Sequence, residues 1–351
     1  MKKYLFIFTI LVILLETGNV LSSDNIFTVN NIKINRDTLK NEQELINIAF
    51  KKGFIKLNKK ILLKNDFKKI ENTDLQTIKN LISYYQINKN NFDTGPDSTE
   101  INIYFKKDKI YNFFYKNNLK YSDVSGKNLK ILPIIIEKNN LIIFENNYIY
   151  KNWIDLDQEE SSSFDLIDYI LPLENIEIID TINKNKENLD KIELKKIFDE
   201  HLKKDNLFIV INNTNKETKI FLKGMISTNK IIKNIKFSSQ ETNKEKKYAD
   251  ILFFLKKEIF EIVKSQNIID VRTPSFFNIK LLIKKKNDLI RLQKILQEVD
   301  LIENFYVNEF SKKSALIKIK YYGKINKITE KLSQKGINIK VESEQWKVSL
   351  K

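Results

Sequence analysis

The chain has 351 residues, 42% of them hydrophobic and none of them cysteine. The apolar fraction excludes global disorder, and the length exceeds what one core usually holds, so two or three domains are expected. The lack of cysteine excludes disulfides, thiolate metal sites and a cysteine nucleophile. The net charge is +16, but all except three of the 61 basic residues are lysines, which lack the planar fork of arginine. This composition favours a solvated lysine surface, and no nucleic-acid partner is expected.

The N-terminus has the pattern of an export signal. Two lysines follow Met1, and residues 4–15 form an apolar run of about a dozen residues, which is signal-peptide length. The sequence therefore predicts a signal peptide over residues 1–23, cut after Ser22 or Ser23, and a periplasmic protein. An uncleaved anchor that contacts the membrane through residues 4–15 is the alternative.

Residues 24–122 are predicted to form an N-terminal α/β unit. A strand over 25–35 is followed by a long helix capped by Asp37 or Thr38. On that helix Ala49 and Gly53 lie one turn apart, so a strand or a second helix can approach closely. A helix over 74–86, a strand over 100–105 and a helix over 109–117 complete the unit.

Residues 123–270 are predicted to form a central mixed-sheet α/β unit. Two apolar runs, 126–136 and 169–180, are each broken by a proline and are typical of neighbouring strands buried on both faces. Because proline cannot donate to a sheet, Pro133 and Pro172 are expected where each strand stops pairing. The remaining predicted elements are a helix over 185–202, strands over 207–212, 219–227 and 231–237, and a helix over 247–264.

Residues 275–351 have the clearest periodicity. Alternating apolar residues predict strands beginning near Phe277, Phe305 and Ala315, and helical stripes follow from Asn287 and Lys324. Gly336 is predicted to end the second helix as its C′ residue. The last strand starts at Ile337, and residues 346–350 either extend it or pair with it. This βαββαβ order predicts a ferredoxin-like unit, so the overall class is α/β and α+β.

Three segments carry a family resemblance. They are the Leu129-Lys-Ile-Leu-Pro-Ile run, Trp153, and the Leu171-Pro-Leu-Glu-Asn run with its following residues. In this order they resemble the DUF2066 family of uncharacterised proteobacterial envelope proteins, and the resemblance covers most of residues 25–350. Glu174-Asn175 stands where that family usually has Gly-Asp. The resemblance implies export and an envelope role, without an established reaction.

Motifs for most catalytic chemistry are missing from the sequence. The seven glycines form no phosphate-binding loop, so no nucleotide cofactor is expected. His201 is the only histidine, which excludes a histidine-based zinc site and a catalytic triad. The acidic residues near the chain centre lack calcium-loop spacing and are predicted to form a polar surface loop; they are Asp155, Asp157, Glu159, Glu160, Asp165 and Asp168.

Glu174, Glu177 and Asp180 are the best candidate pocket residues, together with Trp153. The three carboxylates follow the second proline run, where open α/β sheets place ligands. No catalytic residue, metal or cofactor is predicted from them. The leading hypothesis is a non-catalytic envelope protein that contacts other envelope proteins or an anionic polymer. The alternatives are a carboxylate-dependent hydrolase and a lysine-rich binder of anionic polymer or lipid head groups.

Overall fold

The computed structural model describes residues 26–35, 41–88, 98–124, 127–154, 166–198, 205–213, 217–342 and 345–350. The predicted leader and His201 lie outside these ranges. Within them the chain has a mixed α/β architecture with several sheets, which confirms the predicted class. None of the described helices is long and apolar enough to cross a lipid bilayer.

The N-terminal sheet is antiparallel in the order β1-β3-β2, with β1 at Thr28–Asn35, β2 at Ile82–Asn88 and β3 at Ser98–Phe105. Helix α1 (Glu42–Ile61) packs on it and is capped by Asn41, not by Asp37 or Thr38 as predicted. A Cβ on Gly53 would come within 2.6 Å of Ile103 Cδ1 and 3.0 Å of Ile32 Cδ1. The predicted close approach at this glycine is therefore confirmed.

The predicted helix over 74–86 is too long. After the short α2 (Lys64–Lys68), helix α3 covers only Leu75–Leu81, and the chain then enters β2. The run from Ile82 onward is rich in aromatic and β-branched residues, which fit a pleated strand better than a helix. Tyr84 stacks on Tyr104 of β3, with ring centroids 4.1 Å apart. Helix α4 (Lys107–Lys116) and the two-residue strand β4 (Tyr121–Ser122) follow.

The central sheet has the order β10-β9-β8-β5-β6, and β7 pairs in parallel with β5. Along β5 the side chains of Leu129 and Ile131 enter one core, and those of Leu132 and Ile134 enter the other. Burial on both faces explains the continuous apolar run. The strands are β5 (Lys127–Glu137), β6 (Asn140–Ile142), β7 (Ile167–Ile170), β8 (Asp205–Asn213), β9 (Thr218–Ile226) and β10 (Asn229–Phe237).

Pro133 lies inside β5 and does not end it. One edge of β5 pairs with β8 through Pro133 and beyond. On the other edge, the β7 partners end at Lys130 and the β6 partners begin at Ile135, and Pro133 lies in this gap. Asn147, which caps the short helix α5 (Tyr148–Lys151), donates from Nδ2 to the Pro133 carbonyl at 2.9 Å. Pairing therefore stops at Pro133 on one edge only.

The second proline run is only partly a strand. β7 ends at Ile170, before Pro172, and residues after Asn175 form helix α6 (Ile176–Lys184). Asn175 caps this helix by accepting from the Glu177 N–H at 2.7 Å. The predicted helix over 185–202 is replaced, in its described part, by 3₁₀ turns at Lys186–Lys191 and Leu194–Lys196. The predicted helix over 247–264 is confirmed as α7 (Lys244–Gln266).

The C-terminal sheet has five strands in the order β13-β14-β12-β16-β15. The last strand, β16, pairs with β15 and also lies in parallel beside β12, so residues 346–350 pair instead of extending the strand before them. This adds one strand to the predicted βαββαβ order. The elements are β11 (Ile268–Ile269), β12 (Ser275–Leu282), α8 (Asp288–Glu298), β13 (Ile302–Phe310), β14 (Ser314–Tyr321), α9 (Ile325–Gln334), β15 (Ile337–Glu342) and β16 (Gln345–Leu350).

The N-terminal and C-terminal units share one hydrophobic core, which includes Phe27, Tyr111 and Tyr121 from the first and Leu296 and Ile319 from the second. Strands β4 and β11 pair antiparallel, so the chain leaves this shared core at Ser122 and returns to it at Ile268. The central residues between them bury two separate cores of their own, one on each face of their sheet.

Candidate functional site

A cleft of about 730 Å³, here named the junction cleft, opens where the shared core meets the central unit. It carries six lysines and four carboxylates, a formal excess of two positive charges, so its field attracts anions. The lysines are Lys107, Lys127, Lys324, Lys327, Lys331 and Lys335, and the acids are Asp123, Glu298, Asp300 and Glu330. The turn Ser227–Thr228 lines the cleft on the side of the central unit, and residues 267–269 line it where the chain returns to the shared core.

Asp123 is a buried carboxylate in the cleft wall, immediately after β4. Helix α9 places Lys327 and Lys331 one turn apart, and both Nζ atoms lie 3.1 Å from Asp123 Oδ2. Lys327 also donates to the backbone carbonyl of Asp123. Burial lowers the pKa of Lys327, while the Asp123 carboxylate opposes that shift. Two ammonium groups thus share one buried carboxylate, so Asp123 alone does not balance the positive charge at this point.

Lys107 and Asp300 extend the charged network. Lys107 Nζ donates to the carbonyls of Ile302 at 2.6 Å and Val299 at 3.3 Å, at the end of α8. Burial lowers the pKa of Lys107. Burial also raises the pKa of Asp300, and the charges of Lys331 and Lys107 oppose this change. Shifted pKa values of several groups within one cleft are a general mark of functional sites.

Two tyrosines adjoin the network from the shared core. Tyr111 donates its hydroxyl to the Asp300 carbonyl at 2.5 Å and lies 3.0 Å from the Tyr121 hydroxyl. Burial raises the pKa of both phenols well above the ordinary value. Both therefore remain protonated at neutral pH and act as hydrogen-bond donors. Their rings pack on Phe27 and tie the N-terminal unit to the residues that follow α8.

The turn between β9 and β10 brings strained backbone to the cleft. Ser227 and Thr228 have φ angles of +50° and +72°, and a β-branched residue rarely adopts such a value. Lys127 Nζ donates to Ser227 Oγ at 3.4 Å, and Ser227 Oγ donates to Asn267 Oδ1 at 3.2 Å. Backbone strain of this kind is concentrated at functional sites.

These groups suit recognition of an anion. Lysine ammonium groups bind carboxylates and phosphates as point charges. Within the described ranges, no group of three or more histidine, aspartate or glutamate side chains is placed to hold a metal ion.

The four candidate residues predicted from the sequence lie elsewhere. Glu174, Glu177 and Asp180 are exposed, at the start and along the outer side of α6. Trp153 is fully buried, and its ring contacts Tyr169 at 5.5 Å. It belongs to the core on the α7 face of the central sheet, whereas α6 packs into the core on the opposite face. Asp168 is exposed, and the rest of the predicted acidic loop lies outside the described residues.

Sequence reasoning missed Asp123, Lys107 and the lysine pair of α9. One signal was present: Lys327 and Lys331 are spaced i,i+4 on a helix, where like charges repel, and they flank the buried Ile328. Such a pair beside an apolar stripe indicates a buried counter-ion. Asp123 lies about two hundred residues earlier and only the fold brings it there.

A comparison with protein-family models, curated proteins and solved structures finds no match to this chain. The resemblance to the DUF2066 family stays a prediction.

Proposed function

We propose that this protein is an exported envelope protein that binds an anionic ligand, carrying carboxylate or phosphate groups, in the cleft between the shared core and the central unit. The observation that carries the proposal is the pair Lys327 and Lys331 around the single carboxylate of Asp123. A charge in this poorly solvated position interacts more strongly than in water, so an incoming anion gains from the excess of lysine over carboxylate charge in the cleft.

The dimensions of the cleft support a small or extended ligand. Its volume of about 730 Å³ falls within the range of about 300–1,000 Å³ that is usual for small-molecule sites. Lys324 and Lys335 stand at the two ends of α9, and Lys127 stands across the cleft on β5. Positive groups on both walls suit a ligand with more than one anionic group.

The decisive experiment replaces the competing carboxylate. Asp123→Asn keeps the size of the side chain and removes the charge that now occupies Lys327 and Lys331. We expect the variant to be less stable than the parent, and to bind succinate or inorganic phosphate about tenfold more tightly, because the ligand then supplies the missing anion. Calorimetry measures affinity, and thermal melts with and without phosphate measure the recovery of stability.

The matched control is Asp250→Asn, because Asp250 is exposed on α7 and does not line the cleft. This control should alter neither the affinity for succinate or phosphate nor the thermal stability. A second variant, Lys331→Gln, should weaken binding of both probes to the parent chain. Unchanged affinity in Asp123→Asn and Lys331→Gln would show that this cleft is a structural ion-pair cluster and would end the proposal.

Export is tested independently of the ligand. The lysines and the apolar residues 4–15 at the N-terminus support it. Fractionation of cells that carry a C-terminally tagged full chain should recover the protein outside the cytosol, and removal of residues 2–15 should retain it inside. Recovery of the full chain from the cytosol alone would contradict an envelope role while leaving the anion site to be judged by calorimetry.

A further inference from the structure

The five-stranded C-terminal sheet has one covered and one open face. On the covered face, side chains such as Ile279, Ile317 and Val348 are buried against Leu292 and Leu332 of helices α8 and α9. Because successive strand residues point to opposite faces, the residues between them point outward. Those residues are exposed or half-buried, and many are lysines.

Three of these lysines lie in one row across three strands. The register pairs Lys280 of β12 with Lys347 of β16, and Lys347 with Lys340 of β15. Directly opposed residues lie about 5 Å apart, and like charges in that position destabilise a sheet. Lys318 and Lys320 of β14 lie on the same face. A stretch that breaks a local stability rule is often kept for function.

Carboxylates of the same sheet form ion pairs with only some of the lysines on this face. Among the described residues, Lys347 forms an ion pair with Glu342 at 2.6 Å, and Lys320 forms one with Glu303 at 2.9 Å. No such pair within 4 Å reaches Lys280, Lys318 or Lys340 in the described part of the chain. The open face therefore carries three lysines that no carboxylate of the described residues approaches within 4 Å.

Two aromatic rings lie among the lysines. Phe276 of β12 is 51% exposed and Tyr306 of β13 is 48% exposed, which is unusual for rings of this size. Lys318 Nζ stands 4.8 Å from the centroid of the Phe276 ring. From strand spacing and rise, the Cα atoms of these two residues are about 12 Å apart, on strands separated by β14. The face thus has two exposed aromatic rings next to the lysine ammonium groups.

We propose that this face binds a linear anionic polysaccharide, whose sugar rings pack on Phe276 and Tyr306 and whose carboxylate groups contact the lysine row. The side chains of this face support both parts of the proposal. The lysines supply point charges that match spaced carboxylates, and the exposed rings supply flat apolar area for sugar faces. The site is separate from the junction cleft, because α9 lies on the opposite face of the sheet.

Two other polyanions fit this face less well. Single-stranded nucleic acid is usually held by stacking successive bases on neighbouring aromatics, with arginine prominent, whereas here one strand separates the two rings and the face has no arginine. A flat anionic membrane would press against Glu303, Glu309 and Glu342 as well as the lysines. A linear polymer can follow the lysines and avoid those carboxylates.

The test measures binding of the full chain to polygalacturonate, with neutral dextran as the reference polymer. The double variant Lys280→Gln/Lys340→Gln and the single variant Phe276→Ala should each weaken polygalacturonate binding about tenfold at 0.15 M salt, and dextran should not bind. The matched control is Lys219→Gln/Lys236→Gln, since these lysines are also directly opposed across strands β9 and β10. This control should leave the affinity unchanged.

Three results would overturn the proposal. The first is an equal loss of affinity in the control variant, which would indicate binding by net charge alone. The second is unchanged affinity in Phe276→Ala, which would exclude stacking of sugar rings on this residue. The third is tighter binding of oligothymidylate or of vesicles containing anionic lipid than of polygalacturonate. Lys331→Gln should not alter polysaccharide binding, so this proposal and the cleft proposal succeed or fail separately. Circular dichroism of each variant confirms that the sheet is intact.

Discussion

One buried lysine links the central unit to the N-terminal unit by hydrogen bonds. Lys264, near the end of α7, is 2% exposed, and its Nζ donates to the carbonyls of Leu62 at 2.6 Å and Lys59 at 3.1 Å. These carbonyls lie at the end of α1, where backbone acceptors lack helical partners and the helix dipole favours a cation. Glu261, one turn earlier, forms an ion pair with the same ammonium group.

Replacement of Lys264 tests this role. Lys264→Met keeps the length of the side chain but leaves two buried carbonyls and Glu261 without their cation. We expect the free energy of unfolding to fall by about 3 kcal/mol, measured by urea denaturation. Lys257→Met, on an exposed position of the same helix, is the control and should change stability little. Equal stability in both variants would show that Lys264 does not hold the interface.

Among the elements, the β9–β10 hairpin combines regular pairing with an unfavourable turn. The two strands pair without interruption from Asn229–Ile226 to Phe237–Thr218. Positive φ at both positions of a two-residue hairpin turn defines the type I′ turn, and asparagine and glycine are the residues that adopt it readily. The sequence here has Ser227 and Thr228 instead, and the turn lines the junction cleft.

Thr228→Gly should relieve this strain. A β-branched residue in the left-handed region costs about 1–2 kcal/mol, while glycine loses about 0.5–1 kcal/mol through chain entropy, so we expect a small net gain in stability. The melting temperature measures it. Thr273→Gly, at an exposed threonine without positive φ, should lower the melting temperature and serves as the control. A loss at both positions would mean that Thr228 is not strained.

Local pattern predicted most elements, and tertiary contacts decided the exceptions. Helix α7 and strands β8 to β10 follow apolar periodicity that no neighbour overrides. The segment after Pro172 has enough isoleucine for a strand, but the Asn175 cap and the i,i+4 pair Ile178 and Ile182 make it a helix. The junction cleft was not predictable in the same way, because Asp123 and Lys327 are far apart in the sequence and only the tertiary fold brings them together.

At the scale of the whole molecule, the central unit is an insertion in a core built from both ends of the chain. The N-terminal and C-terminal units meet through Tyr111, whose ring contacts Tyr322 at 5.1 Å, and through Lys107, which donates to carbonyls after α8. The insertion begins and ends at the paired strands β4 and β11. Both ends of the inserted segment therefore adjoin the cleft, so a ligand bound there contacts the central unit and the shared core together.

This arrangement predicts which part of the chain can be removed. Ser122 and Ile268 are directly opposed in the β4–β11 pair, so an Asn-Gly turn can replace residues 123–267 without moving either strand. We expect the shortened chain to fold, because it keeps the shared core intact, although it loses the Lys264 contacts and the Asp123 carboxylate that pairs with Lys327 and Lys331. Calorimetry should show one cooperative transition, and near-ultraviolet circular dichroism should show ordered tyrosines.

The comparison chain is residues 26–122 alone, which keeps its own sheet but loses Tyr322, the C-terminal ring that contacts Tyr111, and the rest of the C-terminal side of the shared core. In this fragment large aromatic rings become exposed, which removes much of the apolar burial that stabilises the unit. The Lys107 ammonium group also loses its acceptor carbonyls at Val299 and Ile302. We expect no cooperative transition from this fragment. A fragment that melts cooperatively while the shortened chain does not would show that the two ends fold independently and that their contact is secondary.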